Sequence, residues 1–370
     1  MAVNHPPAGR PPERSLRIAM VVPPWLSVPP PGYGGLEQVV AALVDALSRH
    51  GHAVTLFGAG SHHGTAADGF VSTVPELQYE RLGESLPELA HLARVNRLIT
   101  AADFDVIHDH TTIGPLLAGR RAVPTVATVH GNPVGEYGDV LSEIDAEVAL
   151  VAISHAQRLL NPGLPWAGTV HNALDAQGLP RKSEPGRGPV LWLARFSPDK
   201  GPDIAIQACR EAGLPLLLAG KCNEPAERRY YEQVVEPLVD ENVTVVLNAD
   251  RAETLRMLVD ARCLIMPIQW DEPFGMVMVE AMATGTPVVA LNRGAVPELV
   301  EPGVTGLVCA RPEELPAALR AAERLDPADC AAHVTRNFSV ERMADGYAEI
   351  YRRFATGGHD VRESARLSAR

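Results

Sequence analysis

The chain has 370 residues, enough for two domains with ample buried core. A composition of 46% hydrophobic and 21% charged residues is that of a soluble globular protein. The formal net charge of −12 argues against a nucleic-acid binder, which needs a basic face, and gives no support for membrane contact through anionic lipid.

Residues 1–15, rich in Pro and Arg and without an apolar core of signal-peptide length, read as a disordered tail. LRIAMVV (16–22) is a continuous apolar run stopped by Pro23, which suits a strand buried on both faces. A Pro/Gly-rich loop, PPWLSVPPPGYGG (23–35), leads into a helix. There Leu36, Val39, Val40, Leu43, Val44 and Leu47 form one stripe, and Gly51 is placed to end it. AVTLF (53–57) is a second strand. A helix near 84–102, strands 105–108, 124–130 and 148–153, and a helix near 154–160 continue the alternation. Strands separated by helices imply a parallel sheet covered on both faces.

The first domain is assigned to 16–175 and a polar Gly/Pro-rich linker to 176–189. The pattern restarts over 190–338, with strands 190–194, 215–219, 243–247, 263–267 and 287–291 between helices 200–212, 225–239 and 251–261. A last helix, about 339–356, is a candidate to brace the first domain, before a polar tail at 357–370. The expected fold is α/β, two Rossmann-like doubly wound sheets facing across a cleft. Cys209, Cys222, Cys263, Cys309 and Cys330 are odd in number and lack CxxC spacing, so they read as free thiols in a reducing cytoplasm. Nothing in the sequence speaks to oligomeric state.

Four stretches carry chemistry. In the 23–35 loop, Gly34 and Gly35 would let a diphosphate touch backbone N–H groups at the helix start. The loop lacks the third glycine of a dinucleotide fingerprint and the Lys of a P-loop. The second stretch is HDH (108–110), with His130 ending the next strand; it could hold a metal, or His130 could bind sugar hydroxyls. Asp103-Phe104-Asp105 has the D-x-D spacing of metal-dependent sugar transferases but reads as a helix-to-strand turn.

The third is ARFSPDKG (194–201), where Arg195 and Lys200 follow a strand end and could neutralise a diphosphate without Mg²⁺. The fourth, DEPFGMVMVE (271–280), sets Glu272 just before a short buried helix and Glu280 inside it, with Pro273 suited to its first turn. Carboxylates suit vicinal hydroxyls of sugar or ribose, and Gly275 lets a ligand reach the backbone. Paired glutamates also occur in ordinary helices. An otherwise apolar surrounding makes Glu280 costly unless it is used.

Together these residues resemble the family 4 glycosyltransferases, retaining enzymes of the GT-B fold, over roughly 16–355. The most specific marks are Arg195 with Lys200 and Glu272 with Glu280, supported by Gly34-Gly35, His130 and VHNALD (170–175). The resemblance implies a hexosyl transfer from a nucleotide sugar, with no cofactor and no metal ion required. It implies that Arg195 and Lys200 bind the donor diphosphate and that Gly34 and Gly35 close over it. Glu272 would contact the transferred sugar, helped by Phe274, Gly275, Met276 and Val277. Glu280 would hold the ribose and His130 would approach the sugar near its 6-position.

The base is assigned to the 248–253 region, with UDP expected on family frequency alone. A small-molecule or glycan acceptor is expected on the first domain, near Trp25, Tyr33, Asp109 and His110. Two other classes stay open: an epimerase or hydrolase turning over donor without acceptor, and a silent nucleotide-binding module.

Overall fold

In the computed structural model, the structure describes residues 14–30, 34–61, 64–100 and 102–368. Tyr33 and the first thirteen residues of the expected tail lie outside them. The first half runs β1 (Arg17–Val21), α1 (Gly35–Arg49), β2 (Ala53–Ala59), β3 (Gly69–Val74), α2 (Ser85–Thr100), β4 (Val106–Asp109) and β5 (Thr125–Val129). It continues through α3 (Gly135–Ser142), β6 (Ala149–Ala152), α4 (His155–Leu160) and β7 (Trp166–Thr169). The second half runs β8 (Val190–Leu193), α5 (Pro202–Ala212), β9 (Leu216–Gly220), α6 (Pro225–Tyr230), β10 (Val243–Leu247), α7 (Arg251–Asp260) and β11 (Leu264–Met266). After it come α8 (Met276–Ala283), β12 (Val288–Leu291), α9 (Val296–Leu299), β13 (Gly306–Cys309), α10 (Leu315–Ala321), α11 (Pro327–Asn337) and α12 (Val340–Ser368).

The strands form a seven-stranded sheet, β3-β2-β1-β4-β5-β6-β7, and a six-stranded sheet, β10-β9-β8-β11-β12-β13. Every ladder between them is parallel. In each half the third, second, first and fourth strands lie side by side in that order. The chain therefore leaves its first strand in one direction and returns on the other side, opening a crevice at the carboxyl ends of β1 and β4, and of β8 and β11. This is the GT-B fold, and those four strand ends position the site.

The sequence pattern accounts for most of the packing. The apolar stripe of α1 buries Val39, Val40, Leu43, Val44 and Leu47 against β1 and β2, leaving Leu36 half-buried. Strands β1, β4, β5 and β6 are almost wholly buried, as continuous apolar runs require. Strands β3, β7 and β13 were not expected, because their short Gly- and polar-containing sequences carry little periodicity. The expected helix 225–239 is split: α6 is followed by a π turn at Tyr231–Val235 and a 3₁₀ turn at Glu236–Leu238, where Pro237 cannot supply a helical N–H.

Helix α12 follows the second half in sequence but packs on the first sheet. Its Tyr347 hydroxyl meets Thr128 Oγ1 at 2.8 Å, and its Tyr351 hydroxyl meets His108 Nδ1 at 2.6 Å. It extends to Ser368, beyond the end expected for it. All five cysteines are free and buried. Among the described residues no helix is long and apolar enough to cross a membrane.

Candidate active site at the facing strand ends

The loops after β8 and β11 flank the crevice of the second sheet and bring Lys200 to Glu272. Lys200 Nζ donates to Glu272 Oε2 and lies 4.7 Å from the centre of the Trp270 ring. Trp270 Nε1 donates to the same oxygen at 2.8 Å. Among the described residues nothing donates to Glu272 Oε1, so one carboxylate oxygen is held and the other is available to a hydroxyl.

The backbone beneath the pair is tightly specified. Lys200 ends a single 3₁₀ turn, and the fully buried Trp192 of β8 donates from Nε1 to the Lys200 carbonyl at 3.0 Å. Gly201 adopts φ 62°, and a Cβ there would sit 2.4 Å from the Pro267 carbonyl oxygen. Across the loop, Gly294 (φ 52°) leaves room for Glu272: a Cβ would lie 2.3 Å from both its backbone N and O. Ala295 N donates to Glu272 O at 2.9 Å and Gly294 N to Asp271 Oδ1 at 3.2 Å, pinning the loop from outside.

Helix α8 starts at Met276 after Gly275, whose φ of 99° turns the chain into the helix. Pro273 therefore lies before the helix, not in its first turn as the sequence suggested: the left-handed Gly275 interrupts helical geometry between them. Glu280 is the fifth residue of α8 and is buried. Burial pushes its carboxyl up on balance, and Arg251 Nη1 at 2.6 Å counters this only in part. Arg251 opens α7 within the stretch assigned to the base, although its pairing with Glu280 is invisible in sequence. Phe274 is buried against His171 and Phe338; Met276 and Val277 are half-buried.

Arg195 follows β8 in the same loop as Lys200, with Nη1 3.9 Å from Glu227 Oε1. Glu227 is buried, and its Oε2 accepts from the backbone N–H groups of Asn223 and Glu224 at 2.9 and 3.0 Å. Its other oxygen has no hydrogen-bond partner and faces the guanidinium. Glu227 is the N3 residue of the α6 capping box and lies beside Arg195.

In the first sheet the strand-end residues divide by face. His108, His110 and His130 form a column, with ring centroids 4.0 Å apart for the first pair and 5.2 Å for the second. His110 Nδ1 meets His130 Nε2 at 2.9 Å, and His108 Nε2 meets Thr128 Oγ1 at 2.7 Å. Hydrogen bonds to Thr128, Tyr351 and one another occupy the donors that a metal reading of HDH needs. Asp109 points to the opposite face, fully buried, 2.9 Å from Arg121 Nη1. Both it and His110, which shares the face of His130, are buried, so neither offers the open acceptor contact expected of it. Trp25 is 8% exposed and so belongs largely to the core, not to an open stacking surface. Asp103 and Asp105 pair with Arg17 at the opposite, amino-terminal end of β1 and β4, away from the crevice.

Gly34 is required by close packing, since a Cβ would meet Pro30 at 2.8 Å and Glu37 Oε2 at 3.0 Å; at Gly35 nothing lies within 4 Å. The two halves meet where Asn132 Nδ2, after β5, donates to the Asp271 carbonyl at 2.7 Å. The strand ends of both sheets therefore face each other.

Burial holds the His130 imidazole down at about 4, and His108 and His110 well below their ordinary value. The unfolded chain binds these protons near pH 6.5, while the folded column stays neutral until far lower. Stability is thus expected in full above about pH 6.5 and to fall as pH drops toward 4. Denaturant titrations across that window check this; His130→Gln should flatten the slope, and an unchanged slope would contradict it.

The chain matches the family model "Glycosyl transferases group 1" over residues 181–333 and "Glycosyltransferase Family 4" over 33–175. It is 28% identical over 287 residues to a glycogen synthase of Mycobacterium tuberculosis, covering 67% of this chain and 68% of the relative. It is 27% identical over 334 residues to a phosphatidyl-myo-inositol mannosyltransferase of the same organism, covering 82% and 85%. Among solved structures it resembles AviGT4, a glycosyltransferase of avilamycin A biosynthesis, at a TM-score of 0.71 and 26% identity, covering 92% and 98%. With one half matched by each model and the sheets ordered as described, the chain belongs to the family 4 glycosyltransferases and has the GT-B fold.

Proposed function

We propose that the enzyme moves a hexosyl group from a nucleoside-diphosphate sugar, a UDP-sugar by preference, to a hydroxyl of a small-molecule or glycan acceptor. Transfer retains anomeric configuration and needs no metal ion. The observation that carries the reading is the Lys200–Glu272 pair at the switch point of the second sheet, with Arg195 in the same loop after β8.

As the glycosidic bond to the diphosphate breaks, negative charge grows on the departing phosphate oxygens. Lys200 and Arg195 are fixed cations placed to take that charge, and the first-turn N–H groups of α8 add to them. Donor binding would draw Lys200 from Glu272 toward phosphate, freeing the carboxylate to accept from sugar hydroxyls. Glu280, paired with Arg251, accepts from the ribose. His130, neutral at working pH, approaches the sugar from the first half. Attack comes from the leaving-group face, with a phosphate oxygen taking the acceptor proton. Closure of the halves through contacts such as Asn132–Asp271 would exclude water.

Calorimetric titration with UDP, GDP, ADP and dTDP, in chelator and then with Mg²⁺, tests the donor assignment. One nucleotide is expected to bind equally in both; binding only with Mg²⁺ overturns the cation-clamp reading. Glu280→Gln is expected to weaken that nucleotide about 10–100-fold, the loss of one charge-assisted hydrogen bond. Glu272→Ala should abolish transfer while sparing nucleotide binding, and intact transfer removes its assigned role. The anomeric signal of the product reports retention, and rapid donor turnover without acceptor would indicate a hydrolase or epimerase instead.

A further inference from the structure

Beside the loop that carries Glu272 and Phe274, three side chains from both halves converge. His155 is the first residue of α4, His171 follows β7, and Glu298 belongs to α9 of the second half. One ligand atom from each lies within 4.8 Å of the other two. We propose that His155, His171 and Glu298 form a binding site for a divalent cation of the Zn²⁺ class, bridging the two halves of the molecule.

The donor set is two imidazoles and a carboxylate, which suits zinc with water as a fourth ligand. Glu298 is already oriented as a ligand should be. Its Oε1 accepts from Ala156 N at 2.6 Å, and its Oε2 accepts from His155 N at 2.9 Å. Burial pushes this carboxyl up, but the hydrogen bonds from His171 and these two N–H groups outweigh it and hold it below the usual range. Such outer contacts hold a ligand's direction and charge.

His171 Nε2 lies 2.9 Å from Glu298 Oε2. Bonds of about 2.0–2.2 Å to a tetrahedral zinc place ligand atoms roughly 3.3–3.6 Å apart, so only a few tenths of an ångström separate this pair from ligating geometry. The His171 ring is braced by Phe274 and Phe338, at centroid distances of 5.9 and 5.8 Å. His155 is exposed, with its ring set at 86° to that of His171, so the two imidazoles approach a common point from different directions. The positive end of α4 opposes a cation, and the full charge of Glu298 beside it outweighs that partial charge.

The alternative for this cluster is a plain helix cap, in which Glu298 serves the N-terminus of α4 and His155 has no role. Titrating chelator-stripped protein with CoCl₂ separates the two. Ligand-field bands of tetrahedral Co²⁺ should appear at one equivalent and be displaced by Zn²⁺. His155→Ala keeps both backbone donors to Glu298 and removes only the exposed ring. Since even second-layer partners of a metal are worth about 10–100-fold in affinity, this variant should weaken Co²⁺ at least about 100-fold and lose the bands. Glu298→Gln, whose amide oxygen can still accept an N–H bond, should lose them too. No stoichiometric binding by the wild type, or equal binding in His155→Ala, overturns the proposal. Ions held by other histidines persist in both variants and count against it.

Discussion

Lys200→Met is expected to lower kcat/KM by about 10²–10³-fold, the effect of removing one preorganised charge contact worth roughly 2.7–4 kcal/mol in the transition state. Methionine preserves the length of the chain and its packing over Trp270 while removing the cation. Because Lys200 meets the diphosphate on donor binding and more strongly as charge develops, the loss should appear in both KM and kcat. Glu272 loses its ionic partner in the same variant, so a modest loss of stability should accompany the loss of rate. Steady-state kinetics beside a denaturation curve separates the two effects. Activity within about threefold of wild type would remove Lys200 from the chemistry and leave it as a partner that merely orders the 269–275 loop.

The second large effect is on stability. Asp109→Asn leaves the Arg121 guanidinium, 3% exposed, buried without a counter-charge. Breaking a buried ion pair from one side typically costs about 3–5 kcal/mol. Asp109 also accepts from Thr111 N at 3.0 Å and Thr111 Oγ1 at 2.6 Å, and its surroundings leave no space for a shift: a Cβ on Gly114 would fall 2.3 Å from Asp109 Oδ2. Urea denaturation should show the drop, while KM for the acceptor stays unchanged. Preserved stability with a raised acceptor KM would restore the placement of Asp109 at the acceptor.

These two residues mark the boundary between what a linear pattern can say and what it cannot. Lys200 and Glu272 were legible because each follows a strand of recognisable apolar run, and in a parallel sheet the carboxyl ends of strands gather at one edge. Asp109 also follows such a run and was misplaced by one face. A strand buried on both sides has no polar alternation to reveal which way a given side chain points. HDH therefore signals its two histidines and its aspartate alike, and only the packed sheet sends the histidines toward α12 and the aspartate toward Arg121.

By itself, the sequence determined the alternation of strands and helices, hence parallel sheets and a crevice, and the residues around Lys200, Glu272 and Glu280. These follow from local hydrophobic periodicity and from glycine's backbone freedom at the strand ends. Tertiary structure alone decided the partners: Trp270 on Glu272, Arg251 on Glu280, Glu227 beside Arg195, and α12 folded back to hydrogen-bond His108 through Tyr351. Each of these contacts but the first joins residues 29 to 243 positions apart. Such pairings are selected by the burial of charge and hydroxyl groups that must find a partner once water is excluded, and that requirement exists only after the chain has folded.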